Sequence, residues 1–202
     1  MEAAPLDTLE PSISEALARN RPQGTGGEQF RCHIIPTSTE KWPLTIVVSV
    51  KRIRGSAIVF KNILVPTDGS ELAVKAVEQS VLFAKEAGAK ITAVTVTEPY
   101  PLAAVTASQP DAPLEYKKLA EAHAEKVLDA VSVAARQAGV TCETLRMEHA
   151  QVYQAIIDAA SARGCDLIVM ASHGRRGVSA VVLGSETVKV LTHSKIPVLV
   201  YR

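Results

Sequence analysis

The sequence lacks the features that mark nucleic-acid-binding and membrane proteins. Its formal net charge is only +1 over 202 residues, so no basic surface for nucleic acid or for an acidic membrane is indicated. No apolar run approaches the roughly 20 residues that a helix needs to cross a bilayer. We therefore expect one ordinary globular domain with an appendage, and neither a nucleic-acid nor a membrane partner.

Cysteine is scarce as well. The three cysteines, Cys32, Cys142 and Cys165, are odd in number and widely spaced, and none belongs to a CxxC pair. This usage favours a reducing compartment, hence a cytoplasmic protein whose thiols pack as small hydrophobes. The five histidines are scattered too, so the sequence predicts no metal site.

Residues 1–59 differ from the rest of the chain. Prolines interrupt every stretch that would otherwise form a long element, and QGTGGE at 23–28 has the composition of a flexible linker. Only residues 44–50, LTIVVSV, resemble a strand. We expect this N-terminal extension to be mostly disordered. An alternative hypothesis is a mis-called start, because valine, here Val59, is what an internal GTG start codon would be read as.

From Phe60 onward, strand-like and helix-like segments alternate. Ser70 is a good N-cap, apolar residues follow it at helical spacing, and Gly88 would stop that helix. In the next helix we expect Leu119 on the buried face, in register with Val127. The pattern predicts strands at 63–65, 91–97, 141–147, 167–170 and 197–201, and helices between 70 and 88, between 113 and 138, at 152–163 and at 185–192.

This alternation is typical of a three-layer α/β/α fold, in which a five-stranded parallel sheet carries helices on both faces. The runs ILV, LIVM and VLV in three of the predicted strands carry almost no polar residues, as strands covered on both faces should, whereas 141–147 alternates. In such sheets a ligand binds beyond the carboxyl ends of the strands, where the strand order reverses. Asp68 and a glycine-bearing loop after residue 171 both follow strands, so we expect them at that edge.

The stretch 166–202 has the arrangement of a phosphate cradle. An apolar run leads into a loop with Gly174 and Gly177, and Gly184 and Ser185 begin a helix-like segment. Glycines allow close backbone approach to a ligand, and a helix N-terminus offers free N–H groups to an anion. The Ser185 hydroxyl can accept from a helix N–H or donate to a phosphate oxygen. The simpler alternative is that the glycines only make a turn and Ser185 only caps the helix.

The regular region begins with KNILVPTDGSE and ends with SHGRRG, LGS and PVLVYR. With these motifs, residues 60–202 resemble a universal stress protein domain of the UspA type, and the resemblance covers none of residues 1–59. The nucleotide-binding branch of that family carries Gly, two residues, Gly, nine residues and then Gly-Ser or Gly-Thr. This chain keeps Gly174, Gly184 and Ser185 at that spacing but has Ala171 at the first position, where the added methyl is expected to crowd the triphosphate.

The resemblance implies a Rossmann-like fold of the adenine nucleotide alpha hydrolase type, with strand order 3-2-1-4-5 and a switch point between the first and fourth strands. It implies a homodimer through the last strand, 197–201, which begins at Pro197 and ends at Tyr201. It also implies ATP as the ligand, with or without Mg²⁺. The residues expected to contact the nucleotide are Pro66, Thr67, Asp68, Val96, Met170, Ala171, Gly174, Arg175, Gly177, Gly184, Ser185 and Glu186.

Some of these polar residues have a simpler interpretation. Asp68 is also suited to form a turn by accepting from nearby N–H groups. Arg175 and Arg176 either clamp phosphates through charge-assisted bonds or are solvated. His173 is expected to carry no chemistry, because no partner nucleophile or carboxylate is evident for it, and His123 and His149 are expected to lie on helix or loop surfaces.

Three functions remain open. The first, which we favour, is a soluble stress-response regulator that binds ATP and passes its nucleotide state to a partner. It needs no catalytic residue, and without a Walker lysine any hydrolysis should be slow. The second is a nucleotide-free dimeric interaction module in which Ala171 has closed the phosphate site. The third is an adenylating or ATP-pyrophosphatase enzyme, but PTDGSE is not the SGGxDS-type loop that this chemistry needs.

Overall fold

The computed structural model describes residues 32–36, 45–49, 60–100, 111–174 and 183–202. A short antiparallel pair of strands comes first, and strands then alternate with helices. The strands are β1 (Cys32–Pro36), β2 (Thr45–Ser49), β3 (Asn62–Pro66), β4 (Lys90–Thr97), β5 (Cys142–Glu148), β6 (Leu167–Ala171) and β7 (Val198–Tyr201). The helices are α1 (Glu71–Ala87), α2 (Ala112–Ala138), α3 (Val152–Ala162) and α4 (Ser185–His193).

The region after residue 60 builds one sheet with the order β5-β4-β3-β6-β7. All neighbouring strands in it are parallel. Counted along the sheet in chain order, this is 3-2-1-4-5, so the predicted fold class and topology are confirmed. The chain runs outward from β3 to β5 and then crosses back to β6, so the order reverses between β3 and β6. A ligand site is favoured at the carboxyl ends of these two strands.

Helix α1 shows how the sequence specifies these elements locally. The Ser70 side chain accepts from Ala73 N at 3.3 Å, which satisfies one of the unpaired N–H groups of the first turn. Gly88 ends the helix in the left-handed conformation, with φ of 64°. The predicted apolar positions form the buried stripe, namely Ala73, Ala76, Val77, Val81 and Ala84.

Apolar clusters cover both faces of the sheet. Ile63 and Val65 pack on the face that carries α1 and α2, whereas Leu64 packs on the face that carries α3 and α4. The alternation arises because successive side chains of a strand point to opposite faces. The strands β3, β6 and β7 are therefore buried on both sides, as the sequence indicated, whereas the edge strand β5 is partly exposed.

Two features differ from expectation. Leu119 is 72% exposed, so its predicted burial is wrong. The buried residues of α2 begin only at Ala124, because the first turns of this long helix lie beyond the part that packs on the sheet. In the N-terminal extension, β1 pairs with the predicted strand region, with Cys32 opposite Ser49; the sequence indicated only the second of these strands.

The outer strand β7 is covered along its length. Its four residues are all buried, and β2 runs beside it although the two strands belong to separate hydrogen-bonded sheets. Within the described ranges, no helix is long and apolar enough to cross a membrane.

Candidate functional site

Three chain segments meet at the carboxyl edge of the sheet, where the strand order reverses. They are the loop after β3, the loop after β6 and the first turn of α4. Gly184 N donates to Ser172 O at 2.8 Å, which joins the second segment to the third. The side chain of Asp68 lies against Gly174, which joins the first to the second. The structure thus brings together the segments that the sequence places at this edge.

Polar groups hold the loop after β3 in one conformation. The Thr95 hydroxyl donates to Thr67 O at 2.9 Å, which anchors the loop to β4. Asp68 Oδ1 accepts from Ser70 N at 3.0 Å, the local contact expected of a turn-forming aspartate. Gly69 between them has φ of 77°, a left-handed conformation that side chains disfavour. The loop therefore presents Asp68 from a fixed backbone.

Close approach between the loops explains two of the glycines. A Cβ atom at Gly174 would lie 2.5 Å from Asp68 Oδ2, and one at Gly184 would lie 3.3 Å from both His173 Cα and Ser172 O. A side chain at residue 174 would displace the Asp68 carboxylate. Bare backbone at these two positions therefore allows the three segments to pack against one another.

The first turn of α4 offers donors at this edge. Gly184 occupies the N-cap position and Ser185 is the first helical residue, so the interpretation of Ser185 as the cap is wrong. The first helical hydrogen bond runs from Val188 N to Gly184 O at 3.0 Å. The N–H groups of residues 185–187 therefore precede the helical ladder and carry the positive end of the helix dipole. The Ser185 side chain is exposed beside them.

Ala171 stands where the family resemblance expects glycine. Its side chain is 8% exposed and packs in the apolar cluster on the α1 and α2 face of the sheet. Helix α4 packs on the opposite face. The methyl group therefore belongs to the core on the far side from the α4 N-terminus, a placement that does not support the expected crowding of a triphosphate.

The other apolar residues predicted for the site lie on neighbouring strands. Pro66 ends β3, and Thr67, which follows it, is buried. Val96 on β4 is half-buried against the same cluster that contains Met170 of β6. Val96 and Met170 therefore share the α3 and α4 face of the sheet, near the ends of their strands.

The Glu186 carboxylate accepts hydrogen bonds from the start of α3 and from its own helix. Its Oε2 accepts from Tyr153 N at 2.8 Å, at the start of α3, and its Oε1 accepts from Lys189 Nζ at 2.7 Å. The hydrogen bond from Lys189 to Glu186 raises the pKa of the lysine ammonium. The bond to Tyr153 N joins α4 to α3, the bond to Lys189 lies within α4, and neither favours the predicted role of Glu186 at the nucleotide.

Two residues that the sequence did not indicate hold the site together. His123 of α2 is half-buried, and its Nε2 lies 3.0 Å from Asp68 O, so the expectation that it lies on the surface and carries no information is wrong. The buried Thr187 hydroxyl donates to Ala171 O at 3.1 Å and ties α4 to the end of β6. One signal was available for His123, since it precedes the buried Val127 by four residues, the spacing of one helix face.

Three predicted residues, Arg175, Arg176 and Gly177, lie outside the described residues. In the part of the chain that is described, no group of three or more His, Cys, Asp or Glu side chains is placed to hold a metal ion. The described cysteines are both free. Cys142 packs on the α1 and α2 face of the sheet and Cys165 on the other face, so they are not placed to form a disulfide with each other.

Comparison with known families matches this architecture. The model of the universal stress protein family matches residues 60–202, which is the whole of the region that forms the parallel sheet and its helices. The chain belongs to the universal stress protein family. The N-terminal extension, with β1 and β2, precedes the universal stress protein domain.

Relatives of this universal stress protein align with nearly their whole length. A universal stress protein of Methanocaldococcus jannaschii is 29% identical over 150 residues, which cover 74% of this chain and 86% of that protein. One of Thermus aquaticus is 33% identical over 143 residues, covering 71% and 99%. A solved universal stress protein in complex with cAMP is 25% identical, with a TM-score of 0.54 and coverage of 72% and 99%.

Proposed function

We propose that this universal stress protein binds ATP in the crevice between the ends of β3 and β6, hydrolyses it slowly or not at all, and acts as a cytoplasmic stress-response regulator. The observation that carries the proposal is the convergence of the Asp68 loop, the Gly174 loop and the first turn of α4. Its test is whether the α4 N-terminus attracts the phosphates.

The first turn of α4 suits the phosphates. Free N–H groups at a helix N-terminus bind anions through hydrogen bonds and through the helix dipole. The exposed Ser185 hydroxyl is a further donor at the same place. The glycine at residue 184 brings this turn against the loop after β6, so backbone N–H groups of both segments can act on one ligand.

The neighbouring strand ends suit the nucleoside. Asp68 supplies a carboxylate that can accept from a ribose hydroxyl or an adenine amino group. Val96 and Met170 supply apolar surface on one face of the sheet. The related protein solved with cAMP makes an adenine nucleotide the reasonable ligand class. Mg²⁺ would accompany the phosphates if it binds at all.

Slow hydrolysis is part of the proposal because the sequence has no Walker lysine setting. A protein that holds ATP without turning it over fits a regulator whose nucleotide state is sensed by a partner. Release of inorganic phosphate by the purified protein, measured over hours, would contradict this part if it exceeded a few turnovers per minute.

The phosphate site is tested by a charge change that leaves packing intact. Ser185→Asp adds a negative charge at an exposed position in the first turn of α4, where it should favour the helix while repelling phosphates. We expect it to weaken ATP binding about tenfold, as one unscreened charge contact would, and to leave adenosine binding unchanged. Equilibrium dialysis with both ligands measures the difference.

Ser185→Asn is the matched control, since it has the shape of aspartate without the charge. We expect this variant to bind ATP within about twofold of the unsubstituted protein. Equal ATP affinity of the aspartate and asparagine variants would contradict a phosphate site at α4, and no binding of ATP by the unsubstituted protein at millimolar concentration would end the proposal.

The nucleotide-free module is the alternative, and Ala171 was the feature in its favour. Because the Ala171 methyl packs in the core on the face opposite α4, this residue gives the alternative little support.

We also propose a homodimer through β7. In this chain β2 runs beside β7, so dimerisation through β7 requires β2 to be displaced or to take part. Sedimentation of the full chain across a concentration series would detect the dimer, and a monomer at all concentrations would contradict it.

A further inference from the structure

His123 makes a contact that reaches from α2 into the loop after β3. Its Nε2 lies 3.0 Å from Asp68 O, and because a carbonyl oxygen only accepts, the imidazole must carry its proton on Nε2. The two residues are separated by 55 positions in the chain. A hydrogen bond between such distant segments constrains where the loop can lie.

The rest of the Asp68 environment makes this contact consequential. The Asp68 carboxylate accepts from Ser70 N through Oδ1 and lies against Gly174 through Oδ2. A Cβ atom at Gly69 would lie 2.6 Å from Val127 Cγ2 and 3.5 Å from the His123 ring. The turn is therefore pressed against α2, with its carbonyl held from the helix and its carboxylate held toward the loop after β6.

We propose that His123 is a positioning residue for the nucleotide. Its Nε2–H fixes the Asp68 carbonyl, and this keeps the Asp68 carboxylate between Ser70 N and Gly174, where the nucleoside of the proposed ligand would meet it. The positioning role rests on the proposed function for its ligand. The hydrogen bond between His123 and Asp68 does not depend on the proposed function, because the structure shows it without any ligand.

A simpler role for His123 is to fill space above Gly69, and two substitutions separate the roles. His123→Leu replaces the imidazole with an apolar side chain of similar bulk and removes the Nε2–H donor. His123→Gln removes the ring and keeps an N–H at the same number of bonds from Cβ. If the hydrogen bond matters, the glutamine variant should retain ATP affinity and the leucine variant should not. If only bulk matters, the leucine variant should retain it.

We expect His123→Leu to weaken ATP binding about threefold to tenfold, the range expected for loss of one hydrogen bond. His123→Gln should remain within about twofold of the unsubstituted protein. His193→Leu is a matched control, because it removes another helical histidine whose Nδ1 bonds only within its own helix, to Lys189 O at 2.8 Å, and it should leave ATP affinity unchanged. Full affinity in His123→Leu would overturn the proposal.

A double substitution shows whether His123 acts through Asp68. In an Asp68→Ala background there is no carboxylate left to position, so adding His123→Leu should weaken ATP binding by less than twofold. If the leucine substitution costs as much in this background as it does alone, His123 acts by another route and the proposal falls.

A readout without ligand separates this proposal from the proposed function. Ser70 N donates to the Asp68 carboxylate, so amide hydrogen exchange at Ser70 reports the position of that carboxylate. We expect exchange at Ser70 to speed up in His123→Leu and not in His123→Gln, and the ¹⁵N spectrum of the unsubstituted protein to show the His123 proton on Nε2. If ATP does not bind, the proposed function fails, but these spectra still test the hydrogen bond from His123 Nε2 to Asp68 O. Unchanged exchange at Ser70 in His123→Leu, together with a His123 proton on Nδ1, would overturn the positioning proposal.

Discussion

The two ends of the parallel sheet use the same groups, an aspartate and backbone N–H donors, with opposite results. At the amino end, the Asp166 carboxylate accepts from Lys61 N at 2.9 Å and Asn62 N at 3.1 Å. The Asn62 side chain donates to Arg163 O at 2.9 Å and accepts from the Thr92 hydroxyl at 3.1 Å. At this amino end, called the closed end below, both carboxylate oxygens accept from backbone N–H groups of the chain, so the network stabilises the fold.

The carboxyl end, called the open end below, also presents N–H donors from a helix start. Asp68 shares one oxygen with Ser70 N and packs its other oxygen on a glycine, while the first turn of α4 offers N–H groups that precede its helical ladder. An aspartate next to a strand thus stabilises the fold when both of its carboxylate oxygens accept from backbone N–H groups, as in Asp166. It becomes a candidate binding residue when unpaired donors face the same space.

The largest expected effect tests the closed end. Asp166→Ala removes the hydrogen bonds that its carboxylate accepts from Lys61 N, just before β3, and from Asn62 N, at the start of β3. Hydrogen bonds to a charged acceptor contribute more to stability than hydrogen bonds between neutral groups. We expect the free energy of unfolding to fall by about 2 kcal/mol, with part of the loss offset by water at this partly exposed site. Urea denaturation measures it. ATP affinity should not change; a loss of ATP binding in a folded variant would break the comparison.

The complementary substitution tests the open end. Asp68→Ala should weaken ATP binding about tenfold, because the proposed contact of this half-buried carboxylate with the nucleoside would be lost. The effect should be present for adenosine as well, in contrast to Ser185→Asp, which we expect to discriminate between the two ligands. Calorimetric titration with ATP and adenosine measures both. If only ATP binding suffers in Asp68→Ala, the assignment of Asp68 to the nucleoside is contradicted.

A smaller effect sharpens the boundary between core and site. Ala171→Gly removes a methyl group from the cluster on the α1 and α2 face and adds backbone freedom in a strand. We expect it to lower the free energy of unfolding by about 1 kcal/mol without raising ATP affinity. Thermal unfolding and dialysis measure the two quantities. A gain in ATP affinity would show that the methyl does crowd the phosphates.

The smallest effect concerns the thiols that flank the closed end. Burial raises the pKa of both Cys142 and Cys165, so less thiolate is present at pH 8 than for a free cysteine, and the thiolate is the reactive form. We expect alkylation of both residues, followed by mass spectrometry of the peptides, to be slower than that of glutathione. It should speed up as pH rises or urea is added. Rapid labelling of Cys165 at pH 8 in native protein would contradict its buried position.

The sequence predicted those features whose causes lie close together in the chain. Ser70 and Gly88 bound α1 because capping depends on groups within a few residues. The strand order came from the family resemblance alone, whereas the apolar runs indicated only that strands are covered on both faces. The glycines were recognised by spacing, although the reason for Gly174 is the carboxylate packed against it.

The remaining features depend on contacts between distant segments. Leu119 has helical spacing with the core residues of α2, but periodicity cannot reveal where a helix passes the end of the sheet. The partner of His123 lies 55 residues away, and Glu186 accepts from Tyr153 N, 33 residues earlier, in the first turn of α3. Side chains of these types have many possible partners, so only the tertiary structure assigns one.

The central claim is that the open end, and not the closed one, takes the nucleotide. An amide ¹H–¹⁵N titration of the full chain with ATP tests it most directly. We expect saturable shifts at Gly174, Gly184 and Ser185, and none at Lys61 or Asp166. Saturable shifts at the closed end, or no shifts at the open end with millimolar ATP, would contradict it.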